Sequence, residues 1–463
     1  MLELDTMKWA HQQFGTCELG DKRRTKRAVR YAADVAADPD SSTPQQSEKW
    51  SDLKATYRLF DTAEVTFRGL AEPHWRQTRE SFAGRGHILL IDDTTDVCFN
   101  NRKKLHGLGT IQSDKNQGFV LHSSLGIDAA NGEVLGMAGQ TIRHREPVKK
   151  QHARQRLKRA DRESRLWGDV IDLVGTPATG ATYTHVCDRG ADNFEVYCHL
   201  IQQHSGWVIR AAQLTRKVVD REAARWQIKK LLESLPLAGS YELEVRASAK
   251  QPARTARLEV RYASIQMPRP AMTSPYVKQC GIGEIPMYVV EVREVNPTGA
   301  MWPNGFQPLH WVLYTSHPVE NLDQSCGVVE MYEKRPLIEE YHKALKTGCR
   351  LESRQYENAH RLEAVTGILA VVAVRLLQLK TVAKREPERP ACDVVPQKWV
   401  EMLQVVRKRP ITTVRQFFRE MAGLGGFLGR KGDGEPGWIT LWRGFEKLHL
   451  LLRGAEAARR RCG

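Results

Sequence analysis

His87-Ile88-Leu89-Leu90-Ile91-Asp92-Asp93-Thr94-Thr95 opens with a continuous apolar run and ends in two acids. Such a run predicts a strand buried on both faces, delivering its aspartates at its end. Strand alternation puts Asp92 and Asp93 on opposite faces. Tyr183-Thr184-His185-Val186-Cys187 repeats the pattern and ends at Asp188. Between them, Gly118 to Asp128 and Glu133 to Arg143 read as strands joined by a turn at Asn131-Gly132. Arg154 to Val174 and Asn193 to Gln203 read as helices, and Trp207 to Gln213 as a further strand. The order β-β-β-α-β-α-β predicts a mixed sheet with hairpin strands first and crossover helices after.

Tyr332-Glu333-Lys334-Arg335-Pro336-Leu337-Ile338-Glu339-Glu340-Tyr341-His342-Lys343-Ala344-Leu345-Lys346 supplies a third acid. Pro336 disfavours helical geometry at Arg335, so a new helix is predicted to start there with proline in its first turn. Ile338, Tyr341 and Leu345 share the core face. Glu339, His342, Lys343 and Lys346 share another. His342 is expected to meet phosphate or solvent, and Glu340 to be solvated. Asp192 is expected to cap the helix that follows it. Magnesium and manganese bind hard oxygen ligands, and two such ions about 3.5–4 Å apart serve phosphodiester displacement. Two strand-end aspartates and a helical glutamate are one way to hold them.

The 463 residues suffice for two or three domains. Lysine and arginine number 70 against 54 acids, a net charge of +16, which predicts a polyanionic partner: nucleic acid first, an anionic membrane surface second. The longest uncharged apolar run, Ala364 to Val374, is too short to span a bilayer and predicts a buried helix. The nine cysteines form no CxxC pair, so neither a zinc site nor a disulfide framework is expected. With no signal-like N-terminus, a reducing cytoplasm is expected.

The flanks differ from the centre. Residues 7 to 70 read as helical, with Asp21 as N-cap of a basic helix carrying Arg23, Arg24 and Arg27, placed to meet phosphates. Trp50, Leu53, Tyr57 and Phe60 form a predicted core stripe. Leu214 to Pro308 reads as a β-rich insertion, after which Trp311 to Thr315 returns to the main sheet. Arg210, at a strand end, is expected to touch DNA or to form a structural ion pair. Lys384 to Pro390 is a linker, and Gln397 to Gly463 is helical, with Trp438, Leu441, Trp442, Phe445 and Leu448 at helical spacing. The expected domains are therefore 1–75, 76–384 with the insertion at about 214–308, and 385–463.

Ile91-Asp92-Asp93-Thr94-Thr95, Val186-Cys187-Asp188-Arg189-Gly190-Ala191-Asp192 and Tyr332-x-x-Arg335-x-x-x-Glu339-x-x-x-x-x-x-Lys346 closely resemble the three signatures of bacterial DDE transposases, in the insertion-sequence family that includes the Tn-five transposase. The likeness runs through Gly20-Asp21-x-Arg23-Arg24-Thr25, Thr315-Ser316-x-Pro318-Val319-Glu320, Val372 to Leu379 and Leu424-Gly425-Gly426-Phe427. The resemblance implies an RNase H-like α/β core, flanked by all-helical N- and C-terminal domains. It implies that Asp93, Asp188 and Glu339 are catalytic and bind two magnesium ions, with manganese able to substitute. Tyr332, Arg335 and Lys346 would contact phosphates near the cut, with His342 and Lys343 beside them. Trp311 would line a pocket for a flipped base. The N-terminal helices would bind the inverted repeats at the transposon ends, and the C-terminal helices would pair two protomers. The implied reaction is cut-and-paste transposition through a hairpin intermediate into target DNA, with no membrane involved. Pro336 departs from the family, which usually has an aromatic residue there. The rivals are a catalytically silent DNA-binding regulator or domesticated relative, and a structure-specific RNase H-like nuclease.

Overall fold

A computed structural model of the chain describes residues 5–462 apart from 48, 100–104, 112, 146–154, 156, 160, 246–250, 297, 298, 300, 431 and 432. Five helices come first: α1 (Thr6–Phe14), α2 (Lys22–Ala37), α3 (Thr43–Gln46), α4 (Trp50–Phe60) and α5 (Phe67–Glu80). Asp21 caps α2 as expected, accepting from the Arg23 amide. Trp50 departs from the expected core stripe: it is 68% exposed, with Lys54 over its ring. It occupies the first turn of α4, outside the reach of the helices that cover Leu53 and Phe60.

The sheet begins with β1 (Gly86–Cys98), β2 (Gly109–Ile111), β3 (Ser113–Asp128) and β4 (Val134–Arg143). Gly132, in the β3–β4 turn, has φ +70°, the left-handed conformation that such a turn needs. Next come α6 (Leu166–Val174), β5 (Ala181–Cys187), α7 (Phe194–Gln202) and β6 (Gly206–Arg210). Within the span expected to be helical from Arg154, a regular α-helix covers Leu166–Val174, preceded by one 3₁₀ turn at Glu163–Arg165, while residues 154, 156 and 160 lie outside the described residues. The basic stretch from Arg143 to Lys158 lies largely outside the described residues. β1 pairs antiparallel with β3 and parallel with β5, and β5 pairs parallel with β6. β4 pairs with β3 on its other edge. This mixed sheet, faced by helices and flanked by helical ends, is the α/β architecture expected.

The following stretch contributes β7 (Lys217–Val219), β8 (Arg225–Gln227), α8 (Ile228–Ser234), β9 (Gly239–Val245), β10 (Arg254–Pro268), α9 (Pro275–Cys280), β11 (Glu284–Glu294) and β12 (His310–Thr315). These strands do not form a separate body. β12 pairs with β6 on one side and β11 on the other, so a single 12-stranded sheet runs through both parts. The alternating pattern predicted the strands, but pattern alone does not say which edge they join.

The chain ends in helices α10 (Leu322–Tyr332), α11 (Pro336–Lys343), α12 (Ala359–Arg385), α13 (Gln397–Arg407), α14 (Val414–Leu424) and α15 (Trp438–Cys462). α12 is long and apolar enough to cross a membrane, yet 89% of its most apolar window is buried within the protein. It is the central post of the main core, packed against α5, β4 and α11.

A buried histidine joins the N-terminal helices to the sheet. His74 Nε2 of α5 accepts from the Met137 amide at 3.0 Å, and its Nδ1 lies 2.6 Å from Gln13 Oε1. Burial pushes its pKa down to about 4. The folded value lies below the unfolded one, so this contribution is fully present above about pH 6.5 and is lost as pH falls toward 4. Denaturant midpoints of the native protein and of His74→Gln should therefore converge on acidification. The gap should narrow by about 2 kcal/mol between pH 7.5 and 5; a constant gap would exclude a neutral His74.

Candidate active site

β1 and β5 run parallel with Asp92 opposite Cys187, which sets Asp93 beside Asp188. β5 ends there, whereas β1 does not end at its aspartates as expected but continues to Cys98, held by its pairing with β3. Asp92 points away from that site. It is buried and its Oδ2 is bonded to His185 Nδ1 at 2.6 Å. Asp93 faces the opposite side, toward α11.

α11 is locked against the sheet by its core face. Ile338, Tyr341 and Leu345 are fully buried, and the Tyr341 hydroxyl accepts from Gln140 Nε2 of β4 at 2.9 Å. Pro336 occupies the first turn as expected, but Arg335 stays helical, with φ −51° and ψ −39°. The proline interrupts the amide ladder, and single-turn bonds from Leu337 to Lys334 and Ile338 to Arg335 bridge the gap. A helical Arg335 lies one turn from Glu339 and reaches it.

The Arg335 guanidinium is the hub of the site. Its Nη2 lies 3.1 Å from Asp93 Oδ2 and 3.8 Å from Asp188 Oδ2, and its Nη1 lies 2.5 Å from Glu339 Oε1. Three carboxylates from three distant segments thus meet around one cation. Burial pushes the Asp93 carboxyl up to about 6; Arg335 pulls the other way, while Asp188 and Glu339 add to the rise. The donors are hard oxygens in the number that magnesium or manganese takes from protein, so the residue types fit such an ion. Among the described residues no three acids, histidines or cysteines stand as a ready metal cage, and here Arg335 occupies the space between the acids.

Around the hub, Tyr332 is buried and stacks edge-on against Trp311 of β12, with centroids 5.4 Å apart. Arg210 donates to the His310 carbonyl at 2.9 Å, and its charge lies near enough to counter the effect of burial on the Tyr332 hydroxyl. Trp311, Tyr332 and Arg210 therefore form one wall beside the acids.

Other expected residues sit elsewhere. The segment Ala344–Gly348 is a π-helical turn, which breaks the seven-residue register between Glu339 and Lys346. Lys346 bonds instead to the Asp96 carbonyl and lies 3.5 Å from Glu352. His342 does not face solvent: it is 8% exposed, and burial first, then nearby cations, hold its pKa down at about 3. Lys343 is exposed and pairs with Glu340 at 3.2 Å. Glu340, expected in solvent, is half-buried and bonded to Lys380 and Trp438 as well. Asp192 does not cap α7; Asn193 does, while Asp192 is buried against Arg216, Tyr197 and the Ala212 amide. On α2, Arg23 is 91% exposed and pairs with Asp21 at 3.2 Å, Arg24 bonds the Leu19 carbonyl, and Arg27 pairs with Asp52 at 2.8 Å.

Sequence reasoning missed Glu340 and the Thr94–His122 contact at 2.7 Å behind Asp93. The periodicity around Glu340 gave no sign that another helix covers that side.

Two regions of the chain are similar to known protein families. Residues 6–65 match the transposase DNA-binding family, and residues 371–462 match the Tn5 transposase dimerisation domain. The two matches lie at opposite ends of the chain, and both are similar to parts of Tn5-type transposases. Among solved structures, the cryo-EM structure of the piggyBac transposase synaptic complex with hairpin DNA aligns over 83% of this chain and 77% of that one, at 11% identity and a TM-score of 0.38. So loose a likeness carries no residue assignments.

Proposed function

We infer that the chain is a DDE transposase that cuts and joins transposon ends with Asp93, Asp188 and Glu339 as its catalytic acids. One observation carries this reading: a single guanidinium, that of Arg335, touches all three carboxylates. In the proposed enzyme these acids hold two magnesium or manganese ions, which when bound activate water and stabilise the leaving oxygen. Arg335 then turns from the acids to a DNA phosphate, a ligand its planar fork suits equally well. Trp311, half-buried and backed by Tyr332, offers an aromatic face on which an unstacked base at the cut end can lie. A hairpin intermediate fits that face. Two copies joined through the C-terminal region act together on paired ends.

The test is end-containing DNA incubated with the full-length protein and magnesium, then resolved on a denaturing gel. Cut strands and hairpins are expected, followed by joined products when a target plasmid is added. Nicking without joining would favour a nuclease, and binding alone a regulator.

The exposed Arg23 is the strongest phosphate contact proposed on α2. Arg23→Ala should weaken end binding and lower the slope of log affinity against log salt by about 0.9. Arg27→Ala should instead loosen the N-terminal helices by removing the Asp52 pair. An unchanged salt slope in Arg23→Ala would remove that arginine from the interface.

A further inference from the structure

Glu340 follows Glu339 on α11 and points about 100° away from it around the helix. Its carboxylate gathers donors from three helices. Lys343 Nζ of its own helix lies 3.2 Å from Oε1, and Lys380 of α12 and Trp438 Nε1 of α15 both bond Oε2. Lys380 Nζ also lies 4.0 Å from the centroid of the Trp438 ring. Trp438 stacks on Trp442, with centroids 5.0 Å apart and planes at 14°. Trp442 in turn fills the space beside Gly348, where an added Cβ would meet its ring at 2.3 Å. Two tryptophans of α15 thus hold the chain just after Glu339, at Glu340 before the π-helical turn and at Gly348 at its end.

Lys380 and Trp438 both lie inside the region that matches the dimerisation domain, and Glu340 lies outside it. The contact therefore crosses from the part of the chain that pairs protomers to the helix that presents the third acid. α15 also exposes Ile439 and Leu450, each 61% accessible, away from this grip. A half-buried carboxylate held by directional donors resists rotation of its helix, because turning it would leave those groups unpaired. Any such rotation would swing Glu339 off Asp93 and Asp188 by the same angle.

We propose that Glu340 is a positioning residue, which ties the placement of the C-terminal helix to the aim of Glu339. This role rests on the transposase reading above. It makes pairing of two copies on α15 felt at the acids without any contact between α15 and DNA.

The test compares full-length wild type, Glu340→Gln and Trp438→Phe. The phenylalanine keeps the ring stack and loses only the N–H donor. Melting temperature, end-DNA binding and protomer pairing are measured beside single-turnover first-strand cleavage across a manganese titration. Melting should stay within about 3 °C. End binding and pairing should stay within about twofold, while the cleavage rate at saturating manganese falls roughly tenfold. The manganese concentration for half-maximal rate should rise several-fold, a shift that mere loosening of the fold would not produce. Should Glu340→Gln fail to fold, Trp438→Phe decides alone. Wild-type rate and metal requirement in Trp438→Phe would overturn the proposal, as would a loss of cleavage matched by equal loss of pairing. If wild type itself leaves ends uncut, the transposase reading fails and takes this role with it.

Discussion

Glu339→Gln is expected to cut first-strand cleavage of end DNA by roughly a thousandfold or more, leaving end binding near that of wild type. The same holds for Asp93→Asn and Asp188→Asn. Each substitution keeps the size of the side chain and removes the negative charge that a divalent ion requires. A purely structural role for these acids predicts something different. Burial already disfavours the charged form of Asp93. Its neutral isostere should therefore fold at least as well as wild type at pH 7.5 in metal-free buffer, since the folded state no longer carries a partly buried anion. The decisive pattern is a melting temperature that holds or rises while cleavage disappears. Retained cleavage in any one purified variant would exclude that acid from the chemistry. A large drop in melting temperature would assign it to the scaffold.

Arg335→Ala should behave in the opposite way. Without metal, the guanidinium is the cation among three carboxylates, so its removal leaves Asp93, Asp188 and Glu339 facing each other. Two of these acids are substantially open to solvent, which moderates the penalty to about 2 kcal/mol rather than the larger loss of a fully buried pair. Chelated Arg335→Ala should melt several degrees below wild type. Manganese should then restore more stability to the variant than it adds to wild type, because the ion no longer competes with a resident cation. Cleavage should fall roughly a hundredfold, as expected when a donor to a reacting phosphate is lost. Arg335→Lys keeps the charge but not the fork and should fall between the two. Equal metal response in wild type and Arg335→Ala would show that ion and guanidinium do not share one place.

Much of this was legible in the residues, and the limits have physical causes. The apolar run before Asp93 could only be a buried strand, and alternation separated Asp92 from Asp93. Ile338, Tyr341 and Leu345 marked the buried side of α11 by spacing alone. What spacing does not report is which neighbour arrives to cover a face. Glu340 and His342 read as surface residues because charge and polarity are local properties, whereas their cover comes from elsewhere: α15 and α12 close over Glu340, and His342 is shut in by packing on its far side. Trp50 shows the converse, an aromatic at core spacing that no neighbouring helix reaches. The π-helical turn at Ala344–Gly348 escaped notice because one extra residue per turn leaves no mark in composition, yet it redirects Lys346.

β12 is stitched to β6 along one border and to β11 along the other. The insertion therefore has no neck about which to swing. A pull on β10 travels laterally through successive rows of peptide hydrogen bonds, crosses the strand bearing Trp311 and reaches β5 and β1. A bulky tag or reporter grafted onto the outer strands β9 and β10 would load the part of the sheet that carries Asp93 and Asp188 mechanically, despite its remoteness, so it is a poor place for a silent label.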